Sequence, residues 1–308
     1  MHGYAMTEEV DWMLLSTQTD VLARTFGHEE ALRMLKRVGY DACDLSFFEM
    51  VTGEGPWLKD DWKEKAYALR AVADEIGLKV NQAHAPFPSS KGAEPFDTEV
   101  RAGIIRSMEV ASILVMENII VHPMQHLEFR THKQELFDMN MDFYRSLIPE
   151  CERLNIHVCA ENMWQHDKRR GYIVDSTCSQ PDEFVQYIDT IGSPWIRACL
   201  DIGHTALVGV EPEEAIYALG HDRLKALHVH DVDYLKDCHT MPFMQKLNWE
   251  KVTKALADID YDGVFTFEAD NFLVHMPDEV KEDGARLMVS VGRYLIGEIE
   301  KAKEENAK

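Results

Sequence analysis

The sequence has few of the features that place a protein in or across a membrane. It contains no unbroken apolar run of about eighteen residues, the length that a membrane-spanning helix needs. The N-terminal segment MHGYAMTEEVDW lacks the basic start and the apolar stretch of a secretory signal. We interpret residues 1–9 as a leader that precedes the fold, and we expect no membrane partner.

Cysteines with the spacing of zinc knuckles or of small disulfide frameworks are absent. The six cysteines are scattered along the chain without a CxxC pair. Cys159 and Cys199 lie inside apolar runs that predict buried strands. Buried free thiols in a reducing compartment explain this distribution better than disulfides do. We therefore predict a cytoplasmic protein.

Basic residues are in deficit. The chain has 32 Lys and Arg against 54 Asp and Glu, which gives a formal net charge of −22. Nucleic-acid affinity depends largely on Lys and Arg that neutralise phosphates, so this balance argues against a nucleic-acid partner. The segment PFPSSKGAEPFD, in the predicted loop after the third strand, carries a single lysine.

A glycine-rich loop after the first predicted strand is also missing. The segment LLSTQTDVLA has no glycine, so it lacks the dinucleotide fingerprint of a doubly wound open sheet, and we predict no organic cofactor. Instead, short apolar runs alternate with longer segments of helical period, which is typical of parallel βα units. The apolar runs are Trp12–Ser16, Ala42–Phe47, Leu78–His84, Ile119–His122, Ile156–Glu161, Ile196–Asp201, Ala226–His230 and Val264–Glu268.

Helix start and stop signals separate these runs. The segment DDWKEKAYALRAVADEIG opens on two aspartates and ends at Gly77, and Pro181 and Pro212 stand just inside the start of two later helices. A last helix is predicted from Pro277 to Lys303, before a frayed tail at residues 304–308. Eight strands and eight helices predict an α/β fold, one (β/α)8 TIM barrel that spans residues 1–308 as a single domain.

Metal-ligating residue types stand at the ends of the predicted strands from the third onward. In a barrel the carboxyl ends of the strands converge on one mouth, where active sites are built. Three carboxylates in one mouth would repel one another unless a positive charge lies between them, so we predict one bound divalent cation. Mixed imidazole and carboxylate ligands favour Mn2+, with Co2+, Zn2+, Fe2+ or Mg2+ as alternatives. The strand-end residues are His84, His122, Glu161, Asp201, His228 and Glu268.

The ordered series of strand-end motifs resembles the xylose-isomerase-like TIM-barrel superfamily. That superfamily includes sugar phosphate isomerases and epimerases, ketose 3-epimerases and endonuclease IV. Each motif alone is weak, but the series follows the order of the superfamily from the third strand to the eighth. The matching segments are HAPF at 84–87, VHP at 121–123, AEN at 160–162, DIGH at 201–204, HVHD at 228–231, DCH at 237–239 and FE at 267–268.

The resemblance implies a metal site made of Glu161, Asp201, His228 and Glu268. In ketose 3-epimerases the two glutamates flank the substrate carbon, so Glu161 and Glu268 are the implied catalytic acid and base. One would remove a proton next to the carbonyl, and the other would deliver one to the opposite face of a cis-enediolate. From the residues alone, His230 on the same strand face could be the metal ligand in place of His228.

Eight further residues are candidates for contact with the substrate. The resemblance assigns such contacts to His204, three residues after Asp201, and to Asp167, where the epimerases carry a glutamate. Tyr234 departs from the pattern, because the ketose 3-epimerases place an arginine there. Trp164 could form an apolar wall for a sugar face, or it could be packing. The full set is His84, His122, Trp164, Asp167, His204, His230, Asp237 and His239.

Three functions stay open at this point. The leading interpretation is a metal-dependent isomerase or epimerase of carbohydrate metabolism, acting on a sugar or sugar-like polyol. A metal-dependent lyase or dehydratase acting on a keto-sugar or oxidised glycoside would use the same enolisation. A zinc phosphodiesterase similar to endonuclease IV would use three ions, and all nine ligand positions of that family carry acceptable side chains here. Relatives with this barrel are often dimers or tetramers, which leaves a homo-oligomer open.

Overall fold

Ten strands are present in residues 12–53 and 55–308, which are the residues that the computed structural model describes. The leader predicted at residues 1–9 lies outside them. Eight of the ten strands run parallel, and each overlaps one of the predicted apolar runs. The strands are β1 Leu15–Thr17, β2 Ala42–Ser46, β3 Lys79–His84, β4 Asn118–Ile120, β5 His157–Glu161, β6 Trp164–His166, β7 Ile173–Asp175, β8 Ile196–Asp201, β9 Leu224–His228 and β10 Phe265–Phe267.

The eight parallel strands close into a barrel. Strands β2, β3, β4, β5, β8 and β9 pair in that order, and β1 pairs with β10. Backbone hydrogen bonds join these two groups at both seams. The amide of Thr19 donates to the carbonyl of Asp44 at 2.9 Å, and the amide of Val229 donates to the carbonyl of Thr266 at 2.9 Å. The predicted (β/α)8 barrel is therefore confirmed, since an open sheet would leave two strand edges unpaired.

The helices cover the outside of the barrel and begin and end close to the predicted signals. Gly77 ends α3 in a left-handed conformation (φ 65°), and Pro181 and Pro212 occupy the first turns of α6 and α8. The helices are α1 Asp20–Phe26, α2 His28–Val38, α3 Trp62–Ile76, α4 Phe96–Ile113, α5 Phe129–Leu154, α6 Pro181–Ile191, α7 Ile202–Leu207, α8 Pro212–Arg223, α9 Trp249–Asp258, α10 Asn271–Val274 and α11 Lys281–Asn306, with short 3-10 helices at Phe48–Thr52, Pro56–Leu58 and Asp278–Val280.

The C-terminal helix differs from its predicted bounds. It begins at Lys281 instead of Pro277, and it continues to Asn306 through most of the segment predicted as a frayed tail. Side-chain contacts hold this end against the barrel. Lys303 Nζ donates to the carbonyl of Tyr261 at 2.6 Å, and Asn306 Nδ2 donates to Asp258 Oδ1 at 3.0 Å. These tertiary contacts stabilise turns whose charged sequence predicts fraying.

A hairpin that the sequence analysis missed follows β5. Its strands, β6 and β7, pair antiparallel and bring Trp164 opposite Asp175. The hairpin lies beside the carboxyl ends of the barrel strands, and Trp164 Nε1 donates to Asp237 Oδ2 at 3.1 Å. This loop therefore forms one wall of the barrel mouth.

The six cysteines are unpaired, as predicted, and all are buried except the half-buried Cys238. Cys159 and Cys199 pack with Ile120 and Ala226, so four neighbouring strands share one small apolar cluster. Among the described residues, no helix is both long and apolar enough to cross a membrane.

Candidate active site

Four of the predicted strand-end side chains meet at the carboxyl end of the barrel. Glu161 ends β5, Asp201 ends β8, His228 ends β9, and Glu268 follows β10 directly. Each offers one ligand atom, and these four atoms lie within 4.8 Å of one another. All four side chains are buried, with Glu268 the most exposed at 7%. We call these four residues the central cluster.

Polar atoms of the central cluster are buried without hydrogen-bond partners. His228 Nδ1 lies 3.3 Å from Glu161 Oε1 and 3.2 Å from Glu268 Oε2, but no contact has hydrogen-bond geometry. Glu161 Oε2 and Glu268 Oε2 also lack hydrogen-bond partners. Leaving such atoms unsatisfied costs about 1–3 kcal/mol each, and more for charged groups. An imidazole and three carboxylates that converge in this way fit a divalent cation.

Two further predicted histidines each contact one of the glutamates. His84 Nε2 lies 3.2 Å from Glu268 Oε1, and His122 Nε2 lies 3.1 Å from Glu161 Oε2. His84, His122 and Glu161 also offer ligand atoms within 4.8 Å of one another. The glutamates are thus held on the side of β3 and β4 by imidazoles.

A second group of potential ligands lies beside the central cluster. His239 Nε2 approaches Asp237 Oδ1 at 3.1 Å, and His204 Nε2 approaches Asp237 Oδ2 at 3.4 Å. His230 Nε2 contacts Asp201 Oδ1 at 2.9 Å, which connects the two groups. The structure thus groups His228 with the central cluster and His230 with the second. The second cluster comprises His204, His230, Asp237 and His239.

The DIGH segment shapes the connection between β8 and α7. Asp201 caps α7, because its Oδ1 accepts from the backbone amide of His204 at 2.6 Å. Gly203 lies against the ring of His230, and a Cβ at this position would collide with that ring. The glycine therefore permits His230 to reach Asp201.

Asn162, from the AEN segment, fixes the ends of β5 and β8 relative to each other. Its Oδ1 accepts from the amide of Asp201 at 2.8 Å, and its Nδ2 donates to the carbonyl of Asp201 at 2.9 Å. His204 Nδ1 lies 2.9 Å from the carbonyl of Asn162. These bonds set the spacing between Glu161 and Asp201.

Burial and opposite charges shift the pKa values of the cluster in opposing directions. Burial alone would raise the pKa of Glu161, but the adjacent His228 and His122 outweigh it and hold this pKa well below the ordinary value. The pKa of Glu268 is likewise well below its ordinary value, because His228, His239 and His84 offset its burial. Both glutamates are therefore ionised at neutral pH.

The histidines show the reciprocal shift. Burial alone would lower the pKa of His84, but Asp44 and Glu268 raise it to about 9. For His204, the carboxylates of Asp201 and Asp237 overcome burial and raise the pKa to about 10. Both shifts arise from the carboxylates that surround these imidazoles.

A cavity of about 710 Å3 opens over the two clusters. Its apolar walls include Phe48, Phe87 and Trp164. Seven of the predicted site residues line this cavity: His122, Glu161, Trp164, His204, Asp237, His239 and Glu268. Four others are not among the described residues of its lining: His84, Asp201, His228 and His230. These four are fully buried beneath the cavity floor.

Asp167 does not line the cavity among the described residues. Its Oδ1 accepts from the backbone amides of Arg169 and Arg170, at 2.8 and 2.9 Å, in the turn between β6 and β7. Tyr234, which departs from the epimerase pattern, donates its hydroxyl proton to Glu211 Oε2 at 3.0 Å. The contacts of Asp167 are local, whereas Tyr234 reaches Glu211, 23 residues away in the chain.

Several polar residues of the mouth were missed by the sequence analysis. Gln18 and Asp20 follow β1, and Asp270 follows β10, and all three line the cavity. Burial, reinforced by Asp20 and Glu268, raises the pKa of Asp270 to about 6. A search one to three residues past each strand end, from the first strand onward, finds this set as well.

Comparisons with known proteins support the fold described above. A family model described as xylose isomerase-like TIM barrel matches residues 32–290. A D-psicose 3-epimerase from Enterocloster bolteae is 31% identical over 213 residues, which cover 67% of this chain and 66% of that protein.

Solved structures of sugar epimerases share the fold. A D-tagatose 3-epimerase-like protein superposes with a TM-score of 0.73 at 19% identity, covering 94% of this chain and 99% of that one. The 3-keto-D-glucoside 4-epimerase YcjR from E. coli gives a TM-score of 0.69 at 17% identity, covering 92% and 99%.

Proposed function

Because this chain belongs to the xylose isomerase-like TIM-barrel family, we propose that it is a metal-dependent isomerase or epimerase acting on a small sugar or a sugar-like polyol. The observation that carries this proposal is the pair of buried glutamates, Glu161 and Glu268, on either side of His228 Nδ1. Each has an oxygen without a hydrogen-bond partner, and both line the cavity.

The residues that would hold the metal are Glu161, Asp201, His228 and Glu268. The convergence of their unpartnered atoms supports this assignment. A divalent ion at this position would hold two substrate oxygens and polarise a carbonyl. Mn2+ is the ion we favour, because the donors are three carboxylates and one imidazole.

Glu161 and Glu268 would act on the proton next to the substrate carbonyl. Their low pKa values leave both carboxylates ionised and able to accept a proton. One would remove the proton. The other, after taking up a proton from water, would deliver it to the opposite face of the same carbon, which inverts it. His122 and His84, at 3.1 and 3.2 Å, would hold the two carboxylates in place.

The cavity walls fit a polyol. Trp164 and Phe87 present aromatic surface for the apolar face of a sugar ring, and the polar groups of the mouth would bind hydroxyls. His204, Asp237 and His239 would provide these contacts on one side. Gln18 and Asp270 would provide them on the other.

A second candidate function is a multinuclear zinc phosphodiesterase. The observation that favours it is the second cluster, together with the group formed by His84, His122 and Glu161. Three ions per chain would then be expected. The net charge of −22 argues against a nucleic-acid substrate, so we prefer the sugar enzyme.

The test is metal analysis followed by incubation with ketoses and keto-sugars in D2O. About one Mn2+ or similar ion per chain, and deuterium incorporated next to the carbonyl in the recovered sugar, would support the proposal. Release of a leaving group would indicate the lyase or dehydratase instead. Three zinc ions with phosphodiester cleavage would favour the second candidate, and absence of a bound metal after reconstitution would refute both.

A further inference from the structure

Asp44 is a fully buried carboxylate inside the barrel, on a strand that contributes none of the residues assigned above. The pairing of β2 with β3 shifts register between Cys43 and Asp44, so that Asp44 pairs with Gln82. Its Oδ1 lies 3.0 Å from His84 Nδ1, and its Oδ2 lies 3.7 Å from His228 Nε2. Asp44 therefore hydrogen-bonds to His84 and lies near His228, whose Nε2 has no hydrogen-bond partner.

The rings of His84 and His228 lie side by side. Their centroids are 4.2 Å apart and their planes differ by 15°. Each ring turns one nitrogen toward Asp44 and the other toward the glutamates. For His84 the outward atom is Nε2, 3.2 Å from Glu268 Oε1, and for His228 it is Nδ1, between Glu161 and Glu268.

A neutral imidazole has one N–H and one lone pair, and the partner of one nitrogen decides the role of the other. A carboxylate behind the ring attracts the N–H and leaves the lone pair on the outward nitrogen. Both outward nitrogens, His84 Nε2 and His228 Nδ1, are buried without hydrogen-bond partners. The arrangement therefore directs a lone pair of His228 Nδ1 to the position between the glutamates, while His84 lies between two carboxylates, Asp44 and Glu268.

We propose that Asp44 is a positioning residue for divalent-ion binding, which orients His84 through a hydrogen bond and fixes the tautomer of His228 through its nearby negative charge. This rests on the proposed function, because it assumes a metal at the central cluster. The contact between Asp44 and His84 has hydrogen-bond geometry, which favours this role over direct ligation of an ion by Asp44, His84 and His228.

A buried network of hydrogen bonds holds Asp44 on the side away from the cavity. Gln82 Nε2 donates to Asp44 Oδ2 at 2.8 Å, and Gln82 Oε1 accepts from Asn81 Nδ2 at 3.2 Å and from Thr266 Oγ1 at 3.4 Å. Ser16 Oγ donates to Asn81 Oδ1 at 2.7 Å. Branched apolar side chains dominate most barrel interiors, so these polar residues are explained by the carboxylate that they orient.

The test compares Asp44→Asn with Ser16→Ala. Both side chains are buried in one network, but Ser16 lacks contact with either histidine among its described hydrogen bonds. We expect Asp44→Asn to weaken binding of Mn2+ and Zn2+ by about 10–100-fold in a competition titration, with kcat reduced more than KM is changed. Ser16→Ala should leave ion affinity within about twofold of wild type.

A spectroscopic readout separates positioning from a general loss of stability. Histidine 15N NMR of the Zn2+-loaded protein should show His228 bound through Nδ1 and protonated at Nε2. Asp44→Asn should alter these shifts, whereas Ser16→Ala should preserve them. If Asp44→Asn fails to fold, Gln82→Met is the second variant, because it removes the hydrogen-bond donor to Asp44. This variant should also weaken ion affinity, and unchanged affinity would overturn the proposal.

The outcomes distinguish the two proposals. If wild type binds the ion and folded Asp44→Asn binds it equally well, Asp44 is only structural and the proposed function stands. Loss of one whole ion per chain, with the remaining affinity unchanged, would make Asp44 a ligand and overturn the positioning role. If wild type binds no ion, the proposed function fails. The histidine 15N shifts of the metal-free protein then test the contact between Asp44 and the histidines. These shifts should change in Asp44→Asn and stay unchanged in Ser16→Ala.

Discussion

The two ends of the barrel each carry a cavity, and their volumes are similar, about 710 Å3 at the carboxyl ends of the strands and about 660 Å3 at the amino ends. Both are lined by charged residues. At the amino ends the charges pair with one another: Arg197 Nη1 contacts Glu117 Oε1 at 2.9 Å, and Lys225 Nζ contacts Asp262 Oδ1 at 2.9 Å. These side chains are at least one-fifth exposed, so water can also satisfy them.

At the carboxyl ends the polar atoms are buried and several lack hydrogen-bond partners, including His228 Nδ1 and Glu268 Oε2. Volume alone does not distinguish the two cavities, but the satisfaction of their polar groups does. Buried polar groups without partners are costly, and a ligand bound at the carboxyl ends would offset that cost. The difference supports the proposal that the chemistry takes place at the carboxyl end.

Replacing the glutamates of the mouth should give the largest effect. Glu161→Gln and Glu268→Gln each keep the side-chain size but remove a metal ligand and a proton acceptor. We expect each to lower kcat by about 10²–10⁴-fold and to abolish stoichiometric metal binding. Glu117→Gln at the opposite end is the matched control, with activity near wild type. If all three variants behaved alike, the contrast between the two ends would be lost.

Removing the metal should destabilise the mouth selectively. An ion present at 100 times its Kd stabilises the native state by about 2.7 kcal/mol. Chelation of the reconstituted protein should therefore lower Tm by several degrees, measured by calorimetry. The same chelator should leave the Tm of Glu161→Gln nearly unchanged. An equal shift in that variant would show that the ion binds elsewhere.

Carboxyl groups at the two ends should make opposite contributions to the pH dependence of stability, and Asp270 tests this at the carboxyl end. Its pKa, raised to about 6 from 3.8 by burial, makes the native state bind its proton more tightly than the unfolded state does. Stability is therefore lost as pH rises from about 4 to 6. In metal-free protein, Asp270→Asn should increase the free energy of unfolding by about 1–3 kcal/mol at pH 8 and leave it unchanged at pH 3.5. Urea titrations at both values measure this difference, and equal effects at the two pH values would count against it.

Asp262 tests the amino end and should give the smallest effect. Burial would raise the pKa of Asp262, but Lys225 outweighs it and lowers this pKa. The native state then binds the proton less tightly, so the pair stabilises the fold above the ordinary carboxyl pKa and loses this contribution in acid. Because Asp262 is 55% exposed, Asp262→Asn should cost only about 0–1 kcal/mol at pH 7. If a urea titration showed a loss of more than about 2 kcal/mol in the free energy of unfolding, the assignment of Lys225 and Asp262 as a solvated pair would be contradicted.

The strand-end residues could be predicted because two local signals coincide in the sequence. Apolar runs mark the strands, and His, Asp or Glu ends each run from the third onward. The residues Gln18, Asp44 and Asp270 were missed for different reasons. Gln18 follows a strand whose end was predicted one residue too early, Asp270 stands two residues beyond the predicted end at Glu268, and Asp44 lies within an apolar run.

The hairpin β6–β7 illustrates another limit of the sequence. Strand β6 has the sequence WQH and forms no apolar run of the kind that marked the barrel strands. The contact that holds Trp164 at the mouth, with Asp237, joins residues far apart in the chain. The helical turn that reaches Asn306 has a similar origin, since its contacts with Tyr261 and Asp258 are tertiary.

The sequence by itself determined the fold class and the set of side chains available at the mouth, because strand period and strand ends are local properties. Only the tertiary structure decided how that set is divided. His228 and His230 lie on the same strand face, yet the first joins Glu161 and Glu268 while the second joins Asp201 and Asp237. That division depends on the register and closure of the barrel, which set distances between strands far apart in the chain. The register shift in β2 that places Asp44 behind two histidines arises from the same packing.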